Sequence, residues 1–277
     1  MLRNDERKVL VVGNVSYDSV VYPQSTGHFW GGGGLNVALA SANAGLPTML
    51  LSAAGRDAES MLTSIGSYID ARGVSIVEED TCRFRIEYDE AGEVLGINAN
   101  YGAANRLNAI LQEAALPDGH YHVCCRKPLS PQYVLPRLMA RYLPFSLDFV
   151  STSAEENIRI VSSWISVSQF VFVNRREFEM LQSVRRIDDL PELIVTAGSG
   201  PVCVYHFGRE VGTWECPARR FEDVTGAGDV FIGTFMATRL LGGDVAFSVG
   251  RAIAQAQRSI DGLGVWGILT PESKAPR

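Results

Sequence analysis

Gly226-Ala227-Gly228-Asp229 opens an apolar run through Phe235, Met236 and Leu240. Two glycines around an alanine leave backbone N–H groups uncovered at a helix start, where the helix dipole adds partial positive charge. Such a turn suits an anion, above all a phosphoryl group in transit. Asp229, in the same turn, is placed to take a proton from an attacking hydroxyl. Taken alone, the aspartate of a Gly-x-Gly-Asp is more often an ordinary acidic residue at a helix start. Three other places carry polar chemistry at the ends of apolar runs: Asp18 after the first run, Asn36 after Gly31-Gly32-Gly33-Gly34, and Asn174-Arg175-Arg176-Glu177. Asp18 and Asn36 offer acceptors and donors for hydroxyl groups. Their ordinary roles would be a turn aspartate and a helix N-cap, and Glu177 would ordinarily be a first-turn glutamate.

The elements that position these residues alternate. Lys8 to Gly13 is a continuous apolar run closed by glycine and reads as a buried parallel strand. Leu35 to Ala44 reads as a helix stopped by Gly45, Thr48 to Ala53 as the next strand, and Ser60 to Arg72 as an amphipathic helix ended by Gly73. Tyr121 to Cys125 precedes a helix from Pro131, and Phe145 to Val150 one around Asn157 to Trp164. Phe170 to Val173 precedes a helix from Arg176, and Leu193 to Thr196 a glycine turn. Two late strands, Val202 to Tyr205 and Glu210 to Trp214, lead to the Gly226 helix, and Val245 to Ser259 forms a last helix. This alternation predicts an α/β fold with a doubly wound, mostly parallel sheet. Ser19 to Trp30, with Val20, Val21, Tyr22 and Pro23, reads as an edge or lid strand. In Arg83 to Asn98, Phe84, Ile86 and Tyr88 alternate with charged residues around the Asp89-Glu90-Ala91-Gly92 turn, a hairpin with two faces. Together these predict one domain over 1–277 with a small β lid from about 15–30 and 82–99.

Several classes are excluded. The chain of 277 residues is 46% hydrophobic and 20% charged, so a sizeable core is expected. A net charge of -6 without a basic footprint argues against nucleic-acid or membrane-surface partners. Val9 to Val12 is too short for a signal peptide or a membrane span. Five cysteines without a Cys-x-x-Cys pair fit reduced thiols in the cytoplasm. His120 and His122 share one face of a strand, where a structural role is expected over metal binding. No Gly-x-x-x-x-Gly-Lys-Ser/Thr, no Gly-x-Gly-x-x-Gly after the first strand and no Gly-x-Ser-x-Gly occurs.

Gly31 to Asn36 with Ala38, Gly45, Gly55 and Asp57, then Asn174 to Glu177, then Asp223 to Asp229, stand in one order along the chain. On these residues the chain resembles the ribokinase-like (PfkB) carbohydrate kinases from about Val9 to about Gly267. Tyr101 to Asn105 and Thr196 to Gly200 are lesser echoes. Thr234 stands where a small Ala or Gly is usual, Ser60 where glycine is common, and Pro201 and Val224 also depart from the usual pattern. The resemblance implies an ATP-dependent transfer of the γ-phosphate to a hydroxyl of a sugar or sugar derivative. Asp229 would be the base, and Gly226, Ala227 and Gly228 the anion hole. It implies Asp18, Gly32, Gly33 and Asn36 as acceptor-binding residues, and Asn174, Glu177, Thr196, Gly198 and Gly200 on the ATP side. Glu177 would hold Mg2+ through water, and Asp223 and Thr225 match residues near a monovalent-cation (K+) site.

Phosphoryl transfer asks the protein for positioned oxygens, a metal and a base, which these residues supply. Tyr22-Pro23-Gln24 and Trp266 echo members acting on sugar–amine adducts. A nucleoside acceptor, or a non-catalytic sugar-binding regulator, are the alternatives. An isolated hairpin is marginal in water, so the Phe84, Ile86, Tyr88 face needs a cover: substrate, the main body, or a second subunit in a homodimer through the lid.

Overall fold

The computed structural model describes residues 8–90, 94–217, 226–260 and 264–269. The first strand, β1 (Val9–Val12), is wholly buried, as expected of an apolar run covered on both faces. Next come β2 (Ser16–Tyr22) and β3 (Ser25–Gly31), then helix α1 (Gly33–Asn43) and β4 (Thr48–Gly55). Helix α2 (Glu59–Ile65) leads to β5 (Val74–Val77), and β6 (Arg83–Tyr88) pairs with β7 (Val94–Asn100). Helix α3 (Leu107–Glu113) precedes β8 (His120–Cys125), and α4 (Leu135–Ala140) precedes β9 (Phe145–Phe149). Helix α5 (Ala154–Val161) joins β10 (Phe170–Asn174), and α6 (Arg175–Val184) joins β11 (Leu193–Ala197). Strands β12 (Gly200–His206) and β13 (Arg209–Trp214), then α7 (Ala227–Leu240), α8 (Val245–Ile260) and α9 (Val265–Ile268), complete the order.

Nine strands form one sheet in the order β13-β12-β11-β10-β9-β8-β1-β4-β5. The pairs from β11 to β5 are parallel, and β12 and β13 add antiparallel pairs at one edge. Alternate residues of β1 enter different cores. Val9 and Val11 pack with α1, α7 and α8, whereas Leu10 and Val12 pack with α3, α4, α5 and α6. This is the doubly wound α/β arrangement, with helices on both faces. A second sheet, β3-β2-β6-β7, buries Val20, Ile86 and Tyr88 against Tyr22, Phe29 and Phe84. The face that the alternation singled out is therefore largely covered within the chain itself.

Some elements differ from expectation. The helix expected over Ser60 to Arg72 stops at Ile65. Asp70 exchanges backbone hydrogen bonds with Thr48 and Leu50, so the sheet edge takes the chain before the helix can continue. The short strand β5 that follows had no sequence signal of its own. Ser19 to Trp30 is two antiparallel strands turning at Pro23-Gln24, where proline fits a turn and breaks a ladder. The helix from Pro131 is a short 3-10 turn followed by α4, and α5 begins three residues before Asn157.

Two glycine contacts fix the helices that matter. A Cβ on Gly34 would lie 2.5 Å from the Gly13 carbonyl carbon, so α1 starts directly on the end of β1. A Cβ on Gly233 would lie 2.4 Å from the Val37 carbonyl oxygen and 2.8 Å from the Ala40 Cβ. Helix α7 thus touches α1 backbone to backbone. Gly233→Val should force these helices apart and destabilise the fold by at least the ~1–3 kcal/mol typical of overpacking. Thermal melting checks this: an unchanged melting temperature would mean that the crossing tolerates a side chain.

Candidate active site

Helices α1 and α7 both begin at glycines with positive φ, Gly32 at 104° and Gly226 at 83°. A side chain at either is strained, because L-residues rarely adopt that backbone. The two helix starts converge: a Cβ on Gly226 would lie 2.7 Å from Asn36 Nδ2. Asn36 Nδ2 donates to Asp229 Oδ2 at 3.2 Å. Asn36 and Asp229 are both buried, at 9% and 7% exposure, with the α7 N-terminal amides of Ala227 and Gly228 beside them.

Asp18, on β2, faces the same point from the small sheet. It accepts from Ser16 Oγ at 3.0 Å and from the Phe84 amide at 3.2 Å. With Asn36, Gly31 and Gly226 it lines a partly open pocket of about 50 Å³, walled by Phe29 and Trp30. That volume is room for a few waters. Burial pushes Asp18 up to about 6; the hydrogen bonds from Ser16 and Phe84 oppose the rise, and Asp229 adds to it.

A second cavity of about 340 Å³ lies on the other side of Asp229 and joins it to Asn174, Glu177, Thr196 and Gly228. Asn174 and Glu177 form a capping box at the start of α6, in which each side chain bonds the other residue's backbone N–H. Glu177 Oε1 also accepts from Ser151 Oγ at 2.9 Å and Asn174 Nδ2 at 2.7 Å. Burial raises the Glu177 carboxyl above its ordinary range, offset in part by the bonds from Asn174 and Ser151. Gly198 and Gly200, at the β11–β12 turn, line an open groove that meets this cavity at Asn174. Asp223 and Thr225, expected beside a monovalent cation, lie outside the described residues.

The structure adds residues that the motifs did not include. Arg126, just past β8, donates from Nη2 to Asp229 Oδ1 at 2.6 Å and from Nε to Asp148 Oδ2 at 2.9 Å. Asp148 sits in β9 with no exposure, and His122 Nε2 lies 3.3 Å from its Oδ1. The signal for them was present: an arginine at the carboxyl end of a parallel strand, where such sheets bind ligands, and an aspartate inside an otherwise apolar strand. His120 and His122 both reach Ser146 Oγ, at 3.0 and 2.9 Å. Burial lowers His120 to about 3, so it stays neutral. His122, Cys124 and Asp148 come close enough to suggest a metal. Burial holds the Cys124 thiol well above its ordinary range, however, and Arg126 already occupies Asp148. A thiol and a paired carboxylate are poor ligands.

Residues 6–266 match the family described as pfkB family carbohydrate kinase. The chain belongs to that family. It is an ATP-dependent phosphotransferase, with the ribokinase-like architecture of its relatives. It is similar to a cytidine kinase of Thermococcus kodakarensis, 26% identical over 276 residues that cover 94% of this chain and 98% of that protein. A nucleoside kinase of Methanocaldococcus jannaschii superposes with a TM-score of 0.79 at 21% identity, covering 94% of this chain and 93% of the other. A putative ribokinase II of E. coli, solved with ATP and Mg2+, superposes with a TM-score of 0.76 at 18% identity, covering 95% and 98%.

Asp18 gives a pH test. Its folded value of about 6 lies above the ordinary 3.8, so the folded chain holds this proton more tightly than the unfolded chain does. Its contribution to stability is complete below pH 3.8 and lost as pH rises through about 6. Asp18→Asn, which carries no charge at any pH, should gain stability relative to the parent between pH 4 and pH 7, by on the order of 3 kcal/mol. Denaturant melts at both pH values check this. A stability difference that does not change with pH would place Asp18 outside the buried titrating set.

Proposed function

We propose that the cleft transfers the γ-phosphoryl group of ATP to a hydroxyl of a nucleoside, with a sugar as the alternative acceptor. The arrangement around Asp229 carries the reading. One carboxylate oxygen meets Asn36 beside the smaller pocket, and the same residue lines the larger cavity that holds Asn174 and Glu177. A base between an acceptor pocket and a phosphate pocket is what in-line transfer requires. The acceptor hydroxyl would lie against Asn36 and Asp229, with Asp18 accepting from a neighbouring hydroxyl. The amides of Ala227 and Gly228 would face the transferring group, where a helix start favours negative charge.

Phe29 and Trp30 offer aromatic surface beside these polar groups, which suits a base attached to a ribose. The similarity to a cytidine kinase and a nucleoside kinase supports the same choice. The small sheet would act as a lid, since Asp18, Phe29 and Trp30 lie on it and line the pocket beside Asn36. The exposed Leu95 on its edge strand β7 supports pairing of two chains through the lid. The free cysteines support a reducing, cytoplasmic setting, and among the described residues no helix is long and apolar enough to cross a membrane.

The donor set fits magnesium held through water. Both Glu177 oxygens already accept hydrogen bonds from Asn174 and Ser151, so the carboxylate suits orienting metal-bound waters rather than direct ligation. When bound, the ion would neutralise charge on the ATP phosphates. Glu177→Gln should then shift the magnesium dependence of turnover to higher concentration, and an unchanged magnesium titration would remove Glu177 from that role.

ADP release measured with ATP against cytidine, adenosine, inosine, ribose and fructose tests the acceptor. A nucleoside is expected to give the highest kcat/KM; turnover with free sugars alone would reject the nucleoside choice. With the best acceptor, Asp229→Asn should lose about two to four orders of magnitude in kcat while binding ATP as before. Turnover within a few-fold of the parent would show that Asp229 is not the base.

A further inference from the structure

We propose that Arg126 is the positioning residue of the Asp229 carboxylate, and that Asp148 and His122 form a buried bracket that holds Arg126 in place. The inference rests on reading Asp229 as the base. The guanidinium is fixed from two sides. Its Nε and Nη2 both donate to Asp148 Oδ2, and Nη2 also donates to Asp229 Oδ1 at 2.6 Å. Asp148 is held in turn. It lies within β9 without exposure, and His122, on the adjacent strand β8, places Nε2 3.3 Å from Asp148 Oδ1, an electrostatic contact without hydrogen-bond alignment. The His122 ring is itself oriented by Ser146 Oγ, 2.9 Å from Nδ1. Each member is a strand residue or the first residue past a strand, so the bracket is as rigid as the sheet.

Two observations assign a function to this bracket beyond holding strands together. First, it ends on the reacting carboxylate and divides its oxygens. Oδ1 is taken by Arg126 and Oδ2 lies with Asn36. A carboxylate gripped on both oxygens cannot rotate, and the oxygen beside Asn36 is the one presented to the acceptor cavity. Second, the acceptor loop makes room for the guanidinium: a Cβ on Gly33 would lie 2.6 Å from Arg126 Nη1. Gly33 therefore leaves the space that the guanidinium occupies.

A receptor for an anionic acceptor is the competing role for an arginine here. The charge balance disfavours it. Asp148 and Asp229 already meet this one guanidinium, and Glu177 lines the same cavity as Arg126. Burial alone would push the Asp148 carboxyl up, yet Arg126 and His122 hold it below its ordinary range, as expected of a paired, ionised group.

The test uses the full chain, MgATP and the best acceptor from the panel above. Arg126→Gln should lower kcat about 100-fold, the size of loss that a misplaced reacting group produces, with the KM for ATP little changed. Arg126→Lys should recover little, because one ammonium cannot span both acids in the forked geometry. Arg126→Ala should regain turnover when millimolar guanidinium is added and not when methylammonium is added. A single change leaves Asp148 buried without its partner, which costs stability. The double change Arg126→Gln with Asp148→Asn removes both charges and should melt near the parent while showing the same loss of kcat.

A double variant that melts like the parent and turns over within about threefold of it overturns the proposal. So does a loss confined to the KM for ATP, which would mark a binding role. Asp229→Asn is measured alongside. If it keeps turnover, the base reading and this inference fall together. If it loses turnover while the Arg126 variants do not, only this inference falls.

Discussion

Helices α1 and α7 meet with no side chain between them at Gly233, whose Cα faces the carbonyl of Val37. That backbone contact sets the distance between two helix starts, and the chemistry follows from it. Asn36 reaches Asp229 only because the first turns of both helices lie side by side. Both starts use a glycine with positive φ, a backbone that other residues rarely adopt. Gly226 also removes a side chain that would meet Asn36, and Gly32 one that would meet the Asn14 carbonyl. A rigid crossing deep in the core, with open helix ends at the surface of the cleft, lets a marginally stable fold present bare amides and a carboxylate at one point.

The acids near this point sort into two kinds by how their charge is met. Burial would raise Asp57, but Thr81 donates to it twice and Arg83 pairs with it, and the balance holds it below its ordinary range while it ties β6 to the end of β4. Asp148 is likewise satisfied by Arg126. These two are completed by the protein. Asp18 and Glu177 are raised, chiefly by burial, and have hydrogen-bond donors but, among the described residues, no salt-bridge partner. A buried carboxylate without a paired charge is costly, and sites that keep one commonly use it. Asp18 stands beside the smaller cavity and Glu177 beside the larger, so each side of Asp229 has one acid that a ligand would complete.

The sheet was legible because its strands are continuous apolar runs closed by glycine or a polar residue, a pattern set by burial on both faces. The helices around Asn36, Glu177 and Asp229 were legible for a local reason: glycine spacing and a capping box are written within a few residues. Helix length was less legible. Ile65 and Ile69 keep helical spacing, yet Asp70 bonds to Thr48 and Leu50, so a contact distant in sequence ended α2. Strand β5 was hidden for the same reason, since an edge strand that is only partly buried carries little apolar pattern. The bracket of His122, Asp148 and Arg126 joins three places on neighbouring strands, and no short motif can record a contact made across a sheet. Its trace was only the presence of charge where an apolar strand had no reason to carry it.

Asp18 lies on the small sheet, whereas Asn36 and Asp229 lie on helices α1 and α7, and this divides the proposed cleft. Its bond from the Phe84 amide ties it to β6, so it belongs to the small sheet and moves with that sheet. Asn36 and Asp229 belong to the α1–α7 crossing, which the core holds still. An acceptor that bonds to Asp18 and also touches Asn36 therefore links the two bodies. On the proposed lid reading, such an acceptor would draw the small sheet toward the helix starts when its hydroxyls meet both. Closure driven by the acceptor excludes water at the moment when ATP faces the base, which guards against hydrolysis of ATP in place of transfer. The bracket behind Arg126 does not share that motion, because every strand that builds it lies in the nine-stranded sheet. If Asp229 is the base as proposed, Arg126 holds it before the acceptor arrives, and the small sheet would complete the site around an oriented carboxylate.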